Sequence, residues 1–406
     1  MAVGKTEFPN IPLIDGVRIG FAEAGIKKQN RKDVVLFEVC EGASVAGVFT
    51  QNAFCAAPVE LCREHMAKSS SRYLLINTGN ANAGTGVKGM QDARSCCDSV
   101  ARLVGVDPSS VLPFSTGVIG ESLPIDKLLS SLPVAVESLS LGTWFDAGEG
   151  IMTTDTRPKG AYRSCEFDGQ AFHLAGISKG AGMIRPNMAT MLGFIATDVS
   201  VDQDVLQSLL KEIANKSFNR ITIDSDTSTN DSCMLIATGK AGNSKLTDLN
   251  SDFAQYFVSQ LTSIMQELAH AIVKDGEGAT KFVSIDVVNA ESMKDATEIA
   301  FEVAHSPLVK TALFASDPNW GRILAVVGRA NVESLDVHKV GISINGIEIV
   351  REGARSPSYS EELGQSAMAP ENIEIRIDLG LGNFSDTVWT TDLSHEYVTI
   401  NAEYRT

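Results

Sequence analysis

The chain has 406 residues, 44% of them hydrophobic and 21% charged, and a formal net charge of −16. That length holds two or three domains' worth of core, or one large sandwich, with the composition of a soluble globular protein. The acidic surplus excludes nucleic acid or an anionic membrane as the main partner, and leaves small zwitterionic substrates open, because those meet a local field.

No apolar run reaches the ~18 residues of a membrane span, and Met1 to Arg18 lacks a basic-then-apolar leader pattern. The seven cysteines are odd in number, lack CxxC spacing and lie mostly in apolar stretches. They read as reduced thiols of a cytoplasmic protein. The six histidines are scattered with no i, i+4 pair, so no metal site is expected.

In chain order, the opening to Ile19 reads as loosely held. Val34 to Thr50 reads as strands around a glycine turn, and Arg72 to Asn77 as a fully buried strand. Asn77 to Gly89 reads as loop. Met90 to Val104 has helical spacing, with Ala93, Cys97, Val100 and Ala101 on one face. Val111 to Phe114 reads as strand, Ser115 to Gly120 as a glycine-bearing turn, and Ile125 to Leu132 as helix. Further strands are expected at 171–177 and 192–199, and amphipathic helices at 204–215 and 254–273.

Phe282 to Val288 alternates as a strand. Two helices, 296–304 and 307–314, are split at Ser306-Pro307. The last hundred residues carry strand patterns at 342–350, 373–379 and 397–401. Strands and helices mix without strict alternation, which favours layered α+β packing over a doubly wound sheet.

The chemistry concentrates in Lys179-Gly-Ala-Gly-Met-Ile-Arg-Pro-Asn-Met-Ala-Thr-Met-Leu-Gly193. Gly180, Gly182 and Pro186 disfavour helix, so a tight turn leading into a buried strand is expected. Ala189 precedes Thr190, a pairing that suits cleavage from within: Thr190 Oγ attacks the Ala189 carbonyl and the resulting ester is hydrolysed. The new N-terminal threonine would hold nucleophile and base on one residue. Composition alone favours an ordinary core strand with a glycine-rich entry.

Gly182-Met-Ile-Arg-Pro-Asn-Met-Ala-Thr-Met-Leu192 resembles the cleavage motif of the glutamate N-acetyltransferase (ornithine acetyltransferase) family of arginine biosynthesis. Supporting blocks include Asn77 to Ala83, Ser115 to Gly120, Met152 to Thr156, Asp224 to Ser232 and Asp275 to Lys281, and the likeness runs from Gly16 to Thr406. One departure is Arg185, where the family often has a small residue.

The resemblance implies an α/β/β/α sandwich cut into two chains, 1–189 and 190–406, that fold together and associate as a heterotetramer. It implies Thr190 as nucleophile, Thr116 and Gly117 as the oxyanion hole, and substrate contacts at Thr153, Lys179, Thr190, Glu277, Asn401 and Thr406. The implied reaction is ping-pong transfer of acetyl from N2-acetyl-L-ornithine to L-glutamate, with no cofactor. Acetyl-CoA as a further donor stays open. Two rival readings remain: a related autoprocessed aminopeptidase or amidase, and an uncut binding protein.

Two familiar motifs are set aside. Gly84-Thr-Gly-Val-Lys-Gly89 fits GxGxxG but is separated from the preceding strand, so a dinucleotide site is not expected. Gly176-Ile-Ser-Lys-Gly180 fits GxSxG, but the glycines and proline that follow forbid the helix a nucleophile elbow needs.

Overall fold

The computed structural model describes residues 2–4, 7–185 and 191–403. These form two units: one takes residues 7–219 and 226–272, the other 220–225 and 273 onward with the first residues of the chain.

The larger unit contains β1 (Val17–Ala22), β2 (Val34–Val39), β3 (Ser44–Phe49), α1 (Ala57–Met66), β4 (Tyr73–Asn80) and α2 (Gly86–Val104). It continues through β5 (Val111–Val118), α3 (Ile125–Glu137), α4 (Trp144–Gly150), β6 (Lys159–Phe167), β7 (Gln170–Lys179) and β8 (Leu192–Thr197). It ends with α5 (Gln203–Ala214), β9 (Ser232–Ala237) and α6 (Asp252–Lys274).

Two sheets form, with orders β1-β2-β4-β5 and β3-β9-β8-β7-β6. Period-two apolar residues from both meet in one core: Ile19, Phe37, Leu74 and Phe114 from the first, Ile177, Phe194 and Ile236 from the second. Phe194 stacks on Phe37 at 5.4 Å and meets Phe114 edge-on at 5.2 Å. On the outer face of the first sheet, Leu36 and Leu75 pack against Cys97, Val100 and Leu132 of α2 and α3. On the outer face of the second, Phe172 meets Phe257 of α6 at 5.9 Å. The larger unit is therefore the expected α/β/β/α sandwich.

The edge strand β3 is not left open. Gln203 and Gln207, one turn apart on α5, each accept from and donate to its backbone, at Val45 and Gly47 respectively. Side-chain amides thus stand in for a missing neighbouring strand.

The smaller unit holds β10 (Phe282–Ala290), α7 (Met293–His305), α8 (Pro307–Phe314), α9 (Trp320–Arg329), β11 (Gly341–Ile344) and β12 (Ile347–Arg351). It closes with β13 (Ala354–Arg355), α10 (Glu361–Met368), β14 (Asn372–Asp378), β15 (Phe384–Thr391) and α11 (His395–Ala402). Its sheet runs β13-β12-β11-β14-β10-β15. Ile285, Ile342 and Ile375 on one sheet face pack against Ile299, Val303 and Val327 of the helices. Ser306 caps α8 and Pro307 opens it, so the helix split falls where the sequence put it.

Five expectations need correction. The stretch before Ile19 is not loose throughout, since Ile11 and Ile14 are buried and β1 begins at Val17. The strand expected at 342–350 is a hairpin: Asn345 and Gly346 both take positive φ, 46° and 78°, as a type I′ turn requires. The strand expected at 397–401 is α11, nucleated by Ser394 at its N-cap. Residues 115–118 are the end of β5 rather than a turn, and β4 likewise runs on to Asn80. Among the described residues, no helix is long and apolar enough to cross a membrane.

Candidate active site

Thr116 and Gly117 lie at the end of β5, where parallel pairing sets Thr78 beside Thr116 and Gly79 beside Gly117. The pairing is close. Gly117 has φ 135°, and a Cβ there would sit 2.3 Å from the Gly79 carbonyl carbon. Only glycine fits.

Asparagines hold this corner. Ser115 Oγ donates to Asn77 Oδ1 at 2.6 Å, and Asn77 Nδ2 donates to Asn80 O at 3.0 Å. Asn230, between α5 and β9, donates from Nδ2 to Ala81 O at 2.5 Å and to Ser115 O at 2.9 Å. Each is buried, where an unpaired amide would be costly, so the network fixes the backbone around Thr116.

Lys179 is the last residue of β7 and is 9% exposed. Its Nζ donates to Thr116 Oγ1 at 3.1 Å, joining residues 63 positions apart. A solvated surface charge is thereby excluded for Lys179. Thr153 lies in the loop after α4, and its N–H donates to Asp155 Oδ2 at 2.9 Å. Asp155 also accepts from Lys159 Nζ at 2.6 Å and from the Gly180 N–H at 2.7 Å, through Oδ1. Burial would raise the Asp155 pKa, but the charges of Lys159 and Lys179, with these hydrogen bonds, hold it well below the carboxylate range. Thr116, Gly117, Thr153 and Lys179 thus converge, directly or through Asp155.

In the smaller unit, Asn401 Nδ2 donates to Glu277 Oε2 at 2.8 Å, so these two predicted residues form their own pair. Glu277 is 8% exposed, which removes the reading of an exposed acidic loop. Its turn is locked to α11: Ser394 Oγ donates to Gly278 O at 2.7 Å, and a Cβ on Gly278 would sit 2.6 Å from both Ser394 Oγ and Tyr397 N. Ala189, Thr190 and Thr406 lie outside the described residues.

The set-aside motifs stay so. Ser178 of the GxSxG stretch is buried inside β7 and donates to Leu268 O at 3.2 Å. In the GxGxxG stretch, Ala81 to Ala83 separate β4 from the first glycine. The thiols are free, and burial pushes Cys96 up to about 12 and Cys62 and Cys97 well above their ordinary value, which leaves them poor nucleophiles. Sequence reasoning missed Asp155 and Asn230; both stood inside quoted blocks, as Met152 to Thr156 and Asp224 to Ser232.

Residues 18–406 match the ArgJ family. Two relatives, from Pseudomonas syringae pv. tomato and Pseudomonas fluorescens, are 56% and 55% identical over 406 residues, 100% of each chain. The chain belongs to the ArgJ family. Both relatives bear the name arginine biosynthesis bifunctional protein ArgJ. Among solved structures, the argJ protein of Bacillus halodurans is 36% identical with a TM-score of 0.51, over 52% of this chain and 99% of that one. Membership of the ArgJ family bears out the resemblance read from the block around Thr190.

Proposed function

We propose that the chain cuts itself between Ala189 and Thr190, then moves acetyl from N2-acetyl-L-ornithine to L-glutamate through an ester on Thr190. Membership of the ArgJ family makes the chain an acyltransferase of arginine biosynthesis, a glutamate N-acetyltransferase. The observation that carries the finer reading is the Lys179–Thr116 hydrogen bond, which joins the head of the cutting block to the Thr116-Gly117 corner.

The freed α-amine of Thr190, with an ordinary pKa of about 7.7–8.0, takes the proton of its own hydroxyl directly or through one water. The hydroxyl oxygen attacks the acetyl carbon of acetylornithine. The carbonyl oxygen becomes an oxyanion, and the Thr116 hydroxyl and Gly117 N–H donate to it. The α-ammonium of Thr190 passes that proton to the amide nitrogen, ornithine leaves as the amine, and the ester remains on Thr190. Glutamate then enters, its neutral amine attacks the ester, and N-acetylglutamate departs as the Thr190 hydroxyl regains its proton. Thr153, Lys179, Glu277, Asn401 and Thr406 bind the amino acids.

The relatives' bifunctional name supports a second activity, which we assign to acetyl-CoA replacing acetylornithine as donor. We place the enzyme in the cytoplasm, which suits its free thiols, as a heterotetramer with two copies of each fragment.

Intact-mass analysis tests the core of this. Chains 1–189 and 190–406 are expected, with labelled acetyl recovered on the second. A single uncut species that turns over at the full rate, or label on another residue, defeats the mechanism. Thr190→Ala should abolish cutting and transfer together. Acetate released without glutamate would identify a hydrolase instead, and CoA released with glutamate alone tests the second donor.

A further inference from the structure

One carboxylate ties together the site residues of the larger unit. The Asp155 side chain is 0% exposed and that of Lys159 1%. Through Oδ1 and Oδ2 it holds the Lys159 ammonium and the N–H groups of Gly180 and Thr153, which stand at the head of the cutting block and at a predicted substrate contact. Gly180 adjoins Lys179, so the same carboxylate fixes the backbone from which Lys179 reaches Thr116.

The direction of that last bond has a consequence. A lysine ammonium donates and cannot accept. Thr116 Oγ1 therefore accepts from Lys179, and its own proton must point elsewhere.

We propose that Asp155 is a positioning residue for the transfer: it fixes Lys179, and Lys179 occupies a lone pair of Thr116 so that the hydroxyl proton turns toward the substrate's carbonyl oxygen. The proposal rests on the acyl-transfer reading above and deepens it. Lys179 then acts on the oxyanion through Thr116, a role separate from meeting the substrate's own carboxylate.

The test is a double-mutant cycle between Asp155 and Thr116, read as kcat for acetyl transfer from N2-acetylornithine per chain beginning at Thr190. Asp155→Asn is made together with Lys159→Met, so that the ammonium in direct contact with Asp155 is removed with its carboxylate. For variants that do not cut themselves, residues 1–189 and 190–406 are expressed together as two chains.

Thr116→Val should lower kcat by about 10²-fold, the cost of one oxyanion donor. The Asp155→Asn/Lys159→Met variant should lower kcat by about tenfold or more with KM within about threefold, and should add almost nothing in the Thr116→Val background. Losses that multiply, or an unchanged kcat in Asp155→Asn/Lys159→Met, overturn the proposal. An unchanged kcat in Thr116→Val overturns the oxyanion reading of Thr116 itself, and the proposal with it.

Discussion

Each unit buries a lysine near an aspartate, and the two solve the problem in opposite ways. Asp155 meets an ammonium directly, Lys159 at 2.6 Å, and its carboxyl stays ionised against full burial. In the smaller unit, Asp392 spends its oxygens on the N–H groups of Thr280 and Lys281 and on the Thr280 and Thr391 hydroxyls. Lys310 is left with Thr390 Oγ1, at 3.1 Å, and the Thr391 carbonyl. There burial outweighs the pull of Asp392 and Asp224, and the Lys310 pKa is pushed down to about 8. The lesson is that a nearby opposite charge preserves ionisation when it is in contact, and loses to desolvation when its lone pairs are already taken.

The strongest blow to the first region is at its backbone. Gly117→Ala should cut kcat by about 10²–10³-fold, because the new methyl group must displace the strand that carries Gly79 and move the proposed oxyanion donors. A near-normal kcat would mean that the corner adapts to the added methyl group.

The second region is tested by pH. The Lys310 pKa is about 8 in the folded chain against an ordinary 10.5, so across that interval the unfolded chain binds more protons. Stability therefore rises with pH through the window, by about 3 kcal/mol in total from this group, and is lowest below it. Urea unfolding of the uncut Thr190→Ala chain, with and without Lys310→Met, should show this rise only where Lys310 is present. A constant difference between the two would show that Lys310 keeps its charge as Asp155 does.

Smaller effects refine the picture. Asn230→Ala removes two donors from the Thr116 corner, and should lower kcat about tenfold and stability by ~1–3 kcal/mol. Asn401→Ala should raise KM for acetylornithine about tenfold and leave kcat within about threefold, since that residue sits on an exposed final helix. A kcat loss there as large as that of Asn230→Ala would show that Asn401 acts in the chemical step and not in binding alone.

Much of this was legible in the sequence, for identifiable reasons. The amphipathic helices α2, α5 and α6 declare themselves by spacing, and the Ser306-Pro307 boundary by its chemistry. The block around Thr190 carried the family. The helix at 395–402 was misread because Tyr397, Val398, Thr399 and Ile400 favour strand, while the deciding signal was the Ser394 cap. The hairpin at Asn345-Gly346 was there to be read, and an apolar run on both sides obscured it. Asp155 and Asn230 could not be ranked from sequence, because their roles exist only once burial removes water and folding brings residues such as Gly180 and Ser115 to them.

The order β3-β9-β8-β7-β6 gives the proposed cut a lasting effect. Strands β8 and β9 would belong to the second fragment and lie between β3 on one side and β7 and β6 on the other, all from the first. Severing the link would leave the main-chain ladder between Leu174–Lys179 and Leu192–Thr197 intact, so the halves stay interleaved while the native state lasts. Once melted, they are two molecules that must find each other again, and recovery should depend on dilution where that of the uncut chain does not. Maturation would thus make the protein a product of its own history, assembled once as a single thread and never as easily from its parts.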